Sequence, residues 1–359
     1  MSRFFNLVTY ILLYAQSVLS ANTISCFLNM NGPCSQKSPV YDSIAMNQYL
    51  TRYNRFIKDC NFNTIDVAPN YIVPVVDTVL NMPCEGMVHF SKTQSFNYSF
   101  NKCGLIEVYS VQQACINANE KKRNLFQKNN DSFVNIVYNL PSTSCGFLGM
   151  GTMDFDKKEN SVWIQSSRLF DPNLSNTLAH EIGHTKGLQH SGTYGSQWEY
   201  ADCSCPMGCA GSIDICYSPP NANLLGWAKP IQMQRTVNKW TQLFLPFYVT
   251  RLYNHILVDN GYGCKLFFSV RSSLIEKGIK DLSVMNSYSK YVPSDASINI
   301  HTMTSRSMFV DAIPQGMVWD SYGVFCNMTV AIKHIAYVPK VNGSLVSICF
   351  YTNNIKNCL

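Results

Sequence analysis

The sequence predicts an α/β domain, a mixed sheet with one histidine-bearing helix, followed by a β-sandwich-like C-terminal domain. Three observations predict it. Strand-like and helix-like segments alternate from Thr23 to about Trp227, helical periodicity fades after Lys229, and residues 180–190 read HEIGHTKGLQH.

The chain opens MSRFFNLVTYILLYAQSVLSAN, with one arginine and a mostly apolar run from Phe4 to Leu19 before Ser20 and Ala21. This predicts a signal peptide over residues 1–21, because the run is short for a bilayer span and is broken by Asn6, Thr9 and Gln16. Nothing later is apolar for long enough to span, so a secreted chain with no stable membrane span is expected. All 15 cysteines follow this segment, which predicts a disulfide framework. Acceptor sequons at Asn97, Asn130, Asn173, Asn327 and Asn342 fit the same route. The net charge of +6 is scattered along the chain without a dense basic patch, which argues against nucleic acid as a partner.

In the front region TISCFLNM reads as an opening strand. SIAMNQYLTRYNRFIKDC has helical spacing of Met46, Leu50, Tyr53 and Ile57. NYIVPVVDTVLNMPC, GLIEVYSV and SFVNIVYNLP are rich in strand formers, with the helical QQACINANEKKRNLFQ between the last two. CGFLGMGTMDFDKKENSVWIQ reads as two short strands around a loop, whose edge could pair with an extended peptide. After about Lys229, runs such as TQLFLPFYVT, CKLFFSVRS, SINIHTM and SLVSICFY read as the strands of a sandwich. The expected division is 1–21 signal, 22–230 first domain and 231–359 β-rich domain.

A helix around residues 172–187, with Asp171 as N-cap, Pro172 in the first turn and an apolar stripe of Leu174, Leu178 and Ile182, puts His180 and His184 one turn apart on one face. Gly187 supplies a helix-ending turn that can bring His190 back toward them. Three imidazoles with one open position are the ligand set of a single catalytic Zn2+. Glu181, adjacent to the first ligand, can take a proton from the attacking water and pass it to a leaving amine, which is peptide-bond hydrolysis without a covalent intermediate. No residues point to an organic cofactor. His255, His301 and His334 lack ligand spacing and are not expected to form a second site.

The string His180-Glu181-x-x-His184-x-x-Gly187-x-x-His190 resembles the zinc signature of the metzincin metalloproteases, and Met207 in YADCSCPMGCA resembles their Met-turn residue. More specifically, FIKDCNF, VLNMPC, CGFLGMG, HEIGHTKGLQHSG, YADCSCPMG and NANLLGWAKP resemble the gametolysin family of secreted zinc endopeptidases, from about residue 23 to 230. The resemblance implies a metzincin-like zinc protease domain with His180, His184 and His190 as ligands, Glu181 as catalytic acid/base and Met207 under the site. It also implies an extracellular protein or glycoprotein, of matrix or cell-wall type, as substrate.

Cys209 stands where some metzincins carry an oxyanion-stabilising tyrosine, leaving zinc, backbone N–H groups, Tyr200 or Tyr217 for that role. The resemblance begins almost at the predicted cleavage site, so no inhibitory pro-segment is expected, nor a zinc-blocking thiolate from Cys34 or Cys84. Disulfides are expected of Cys203, Cys205, Cys209 and Cys216 rather than a thiolate metal cluster. The alternative is a catalytically silent binding or adhesion protein that retains the fold; the intact Glu181 argues against it. A third reading makes the aromatic-rich tail the functional part.

Overall fold

The computed structural model describes residues 23–31, 34, 43–61, 78–124, 134–140, 146–153, 159–165, 176–209, 215–233, 237–272, 296–320 and 328–358, apart from 90, 92, 122, 262 and 353. The signal segment, Asp171, Pro172, Leu174 and the sequons at Asn130, Asn173 and Asn327 lie outside them. The structure is mixed α/β, rich in sheet and with few helices. It groups into two compact units: residues up to Lys58 with Asn63–Gly187, and Asp59–Phe62 with Leu188–Leu359.

The first unit runs β1 (Thr23–Asn31), α1 (Ser43–Cys60), β2 (Thr78–Pro83), β3 (Glu85–His89), β4 (Ser95–Ser99), α2 (Leu105–Ala118), β5 (Val134–Leu140), β6 (Gly149–Gly151), β7 (Glu159–Gln165) and α3 (Thr177–Thr185). Its main sheet has the order β2-β1-β5-β7-β6. The first four strands are parallel and β6 runs antiparallel to β7. Ile24, Cys26 and Leu28 of β1, and Ile136, Tyr138 and Leu140 of β5, alternate into one core with Val108, Val111 and Cys115 of α2. Cys26–Cys115 and Cys34–Cys84 are disulfides within this unit.

GLIEVYSV, read as a strand, is the start of helix α2. The Glu107 carboxylate accepts the backbone N–H groups of Gly104 (2.8 Å) and Ser99 (3.0 Å), which satisfies donors at the helix start. Val108, Val111 and Cys115 are buried at helical spacing.

The second unit contains β8 (Gly192–Thr193), α4 (Pro219–Leu224), β9 (Lys229–Pro230), β10 (Thr241–Pro246), β11 (Tyr253–Asp259), β12 (Lys265–Arg271), β13 (Ser297–Met303), β14 (Ser307–Pro314), β15 (Val318–Asp320), β16 (Val330–Val338) and β17 (Gly343–Phe350). Six strands form one sheet, β8-β14-β13-β12-β11-β9, and four form another, β10-β17-β16-β15. Ile256, Leu266, Phe268, Val270, Ile298 and Ile300 of the larger sheet join Val330, Ile332, Val346 and Ile348 of the smaller in one apolar cluster. Period-two alternation then sends His255, Arg271, Asn299 and His301 to the opposite face, where they are also buried. That polar inner face receives the segment that follows the third histidine. Among the described residues no helix is long and apolar enough to cross a membrane.

Candidate metal centre

Helix α3 begins after Asn176 and buries Leu178, Ala179 and Ile182. This apolar face fixes the helix roll and leaves His180 partly exposed at its edge. His184 follows one turn later, its Nε2 3.1 Å from His180 Nε2 and its ring nearly perpendicular to the other, at 85°. Gly187 then takes φ 93°, a left-handed conformation that favours glycine, with its N–H donating to the His184 carbonyl. Ligand atoms of His180, His184 and His190 all lie within 4.8 Å of one another. Tetrahedral bonds of 2.0–2.1 Å would separate two nitrogens by about 3.3 Å, so the first pair is already near ligand spacing and the donor set suits zinc.

Glu181 is buried against β6. The Gly151 N–H donates to its carboxylate, and a Cβ on Gly149 would stand 2.6 Å from Glu181 Oε1. A Cβ on Gly151 would collide with the Glu181 carbonyl. The glycines therefore let the strand approach the helix closely. Burial pushes the Glu181 carboxyl up to about 8, with the Gly151 hydrogen bond pulling the other way. A carboxyl near neutrality is suited to proton transfer in either direction.

Beyond His190 the chain folds over itself. Ser191 N–H donates to the Met207 carbonyl at 2.8 Å, Asp202 N–H to the Ser191 carbonyl at 3.1 Å, and Cys209 N–H to the Asp202 carbonyl at 3.2 Å. Met207 is fully buried. Gly208 has no room for a side chain, since a Cβ would strike the Asp202 carbonyl. Cys203 bonds to Cys209 and Cys60 to Cys216. Cys205, expected in a disulfide, is instead a buried free thiol that accepts the Ser218 N–H and the Asn221 amide, both at 3.3 Å. With burial pushing the thiol up, it packs as a neutral group.

The tail supplies the floor of this segment. Asp202 Oδ1 accepts Ser204 N–H and Oγ–H, and His301 Nε2 lies 3.0 Å from Ser204 Oγ and 3.4 Å from Asp202 Oδ2. Burial raises the Asp202 carboxyl, but the His301 charge and the Ser204 hydrogen bonds outweigh it and leave the group below its ordinary value. Arg271 donates to the carbonyls of Ser204 and Cys216, and β8 pairs with β14. Serine, histidine and aspartate meet here without solvent access, so the trio holds a loop and does not present a nucleophile. His255 and His334 go elsewhere, to Asn254 and Ser344 respectively.

Of the two tyrosines considered for the oxyanion, Tyr217 is fully buried against Trp227, whereas the half-buried Tyr200 lies with its ring 4.0 Å from that of His190. Glu199, which sequence reasoning did not single out, holds His190 Nδ1 at 3.0 Å. Nothing in its nine-residue offset from His190 signals that contact.

The family profile described as Gametolysin peptidase M11 matches residues 45–270. The chain belongs to the gametolysin peptidase family. The description of that family names a peptidase. The matched span passes the boundary expected near 230 and ends within β12. Over 100 residues this family member is 31% identical to a protein named autolysin from Chlamydomonas reinhardtii; that alignment takes in 27% of this chain and 15% of the relative. The chain thus spans a small part of that relative's length.

Proposed function

We propose that this chain is a secreted zinc endopeptidase that hydrolyses peptide bonds of extracellular proteins or glycoproteins of matrix or cell-wall type. The convergence of three imidazoles beside the buried Glu181 carries the reading. His180, His184 and His190 hold one Zn2+, Glu181 is the acid/base, Gly187 ends the helix and Met207 supports the loop beneath. The ion, when bound, supplies Lewis acidity to the scissile carbonyl and to water. Glu181 takes the proton of the attacking water and returns it to the amine that leaves. Residues 22–230 form a metzincin-like catalytic domain and 231–359 a β-sandwich-like one, a reading supported by the apolar cluster shared by the two sheets of the tail.

The edge strand supports an extended substrate. Thr152 N–H bonds to Ser161 O, Gln165 N–H bonds to Leu148 O, and Met150 stands opposite Trp163 between them. Alternation then turns the backbone groups of Gly149 and Gly151 away from β7, and Gly151 N–H already reaches Glu181. A peptide strand added on that edge brings its own amide groups to the base. Secretion is supported by the opening sequence, the disulfides and the exposed sequons at Asn97 and Asn342.

The test compares the purified chain with Glu181→Ala. Both are expected to bind one zinc, and the variant to lose roughly 100- to 10,000-fold in cleavage of an unstructured protein, the range for a general base. Zinc in both with no cleavage by either, across a broad peptide library, would instead support the silent binding protein.

A further inference from the structure

We infer that Glu199 is the positioning residue for the third metal ligand, a role that rests on the zinc reading proposed above. His180 and His184 need little help, because one helix sets their spacing. His190 lies beyond Gly187 in a stretch without regular structure, so no helical backbone fixes its ring. Two consecutive side chains do so instead. Tyr200 covers the ring, with centroids 4.0 Å apart, and Glu199 Oε2 lies 3.0 Å from Nδ1 at its edge.

A neutral imidazole has one N–H and one lone pair. With the N–H on Nδ1 donating to Glu199, the lone pair is on Nε2, the nitrogen left for a metal. A carboxylate accepting that N–H fixes the tautomer and the ring rotation, and it makes the bonding nitrogen more electron-rich. The pair is poorly placed to act as a stability element: the Glu199 side chain is 53% exposed, and exposed ion pairs contribute little to folding. A role in orientation and a role in stability therefore predict different measurements.

The experiment titrates zinc into the full secreted chain against a competing chelator, for wild type, Glu199→Gln, Glu199→Ala, His190→Ala and the His190→Ala/Glu199→Ala double variant. The Tm of each metal-free protein is recorded alongside. Glu199→Ala is expected to weaken zinc binding by about 10- to 100-fold, the range seen for such partners of ligating histidines. Glu199→Gln, whose amide oxygen still accepts from Nδ1, is expected to weaken it less. Metal-free Tm should not move, and the double variant should match His190→Ala, because the positioning role runs through that ring. Glu199→Ala within twofold of wild type overturns the role. So does an additive double variant, or a fall in metal-free Tm that accounts for the lost affinity. A wild-type chain that takes up no zinc overturns the metal reading itself, and this role with it, which the wild-type titration alone reveals.

Discussion

Glu181 owes its environment to two absent side chains. Gly149 and Gly151 bring β6 against helix α3, and a methyl on Gly149 would press on both the Glu181 carboxylate and Thr177 Cγ2. Gly149→Ala is expected to lower stability by about 1–3 kcal/mol, the usual penalty for overpacking, and, on the acid/base role proposed for Glu181, to reduce kcat/KM by roughly tenfold or more. Zinc stoichiometry should stay at one per chain; thermal denaturation, metal analysis and peptide cleavage together check this. The histidine spacing was legible because offsets of four and six along a helix and its terminal glycine are local geometry. The glycines were legible only as a turn-rich strand pair, since sequence does not say which carboxylate will lie over them. Glu199 was invisible for the same reason: its partner is set by how the loop folds back.

At the level of elements, β1, β5 and the histidine helix were readable from their apolar patterns, whereas the parallel direction of the strands was not. Helix α2 was misread in its first half because Ile106, Val108, Tyr109 and Val111 are residues that strands favour. Tertiary burial and the Glu107 cap overrode that propensity. Glu107→Ala removes an acceptor for two backbone N–H groups and should destabilise the first unit by about 1 kcal/mol, with helix content otherwise retained in circular dichroism. An unchanged denaturation midpoint would mean that water replaces the carboxylate at no loss. The short β8 and β9 were missed because two-residue pairings leave no period to read.

Across the molecule, the larger sheet of the second unit has two buried faces of different character. One is apolar; the other presents His255, Arg271, Asn299 and His301. The sequence pattern identified the strands but not the use of the polar face, since Asp202 and His301 lie far apart in the chain. His301→Leu leaves the Asp202 carboxylate without its ring partner and should cost about 1–3 kcal/mol in unfolding free energy. Burial lowers the His255 pKa to about 3, against about 6.5 for an exposed histidine. Above about pH 6.5 neither state carries the proton and stability is full. Between about 6.5 and about 3 the unfolded chain takes up a proton that the folded one refuses, so stability falls with decreasing pH, by up to roughly 1.4 kcal/mol per pH unit for this group. His334, also shifted down by burial, adds in the same direction. Urea denaturation of wild type and His255→Gln at about pH 7 and about pH 4.5 checks this: the variant should lose less stability on acidification. The pairing of Gly192 with Met308 has a temporal side as well. Synthesis proceeds from the N-terminus, so the stretch bearing His190 emerges long before the strand that receives it. Until β14 has been synthesised, Gly192 and Thr193 lack the strand they pair with, and the segment that follows His190 waits for its partner.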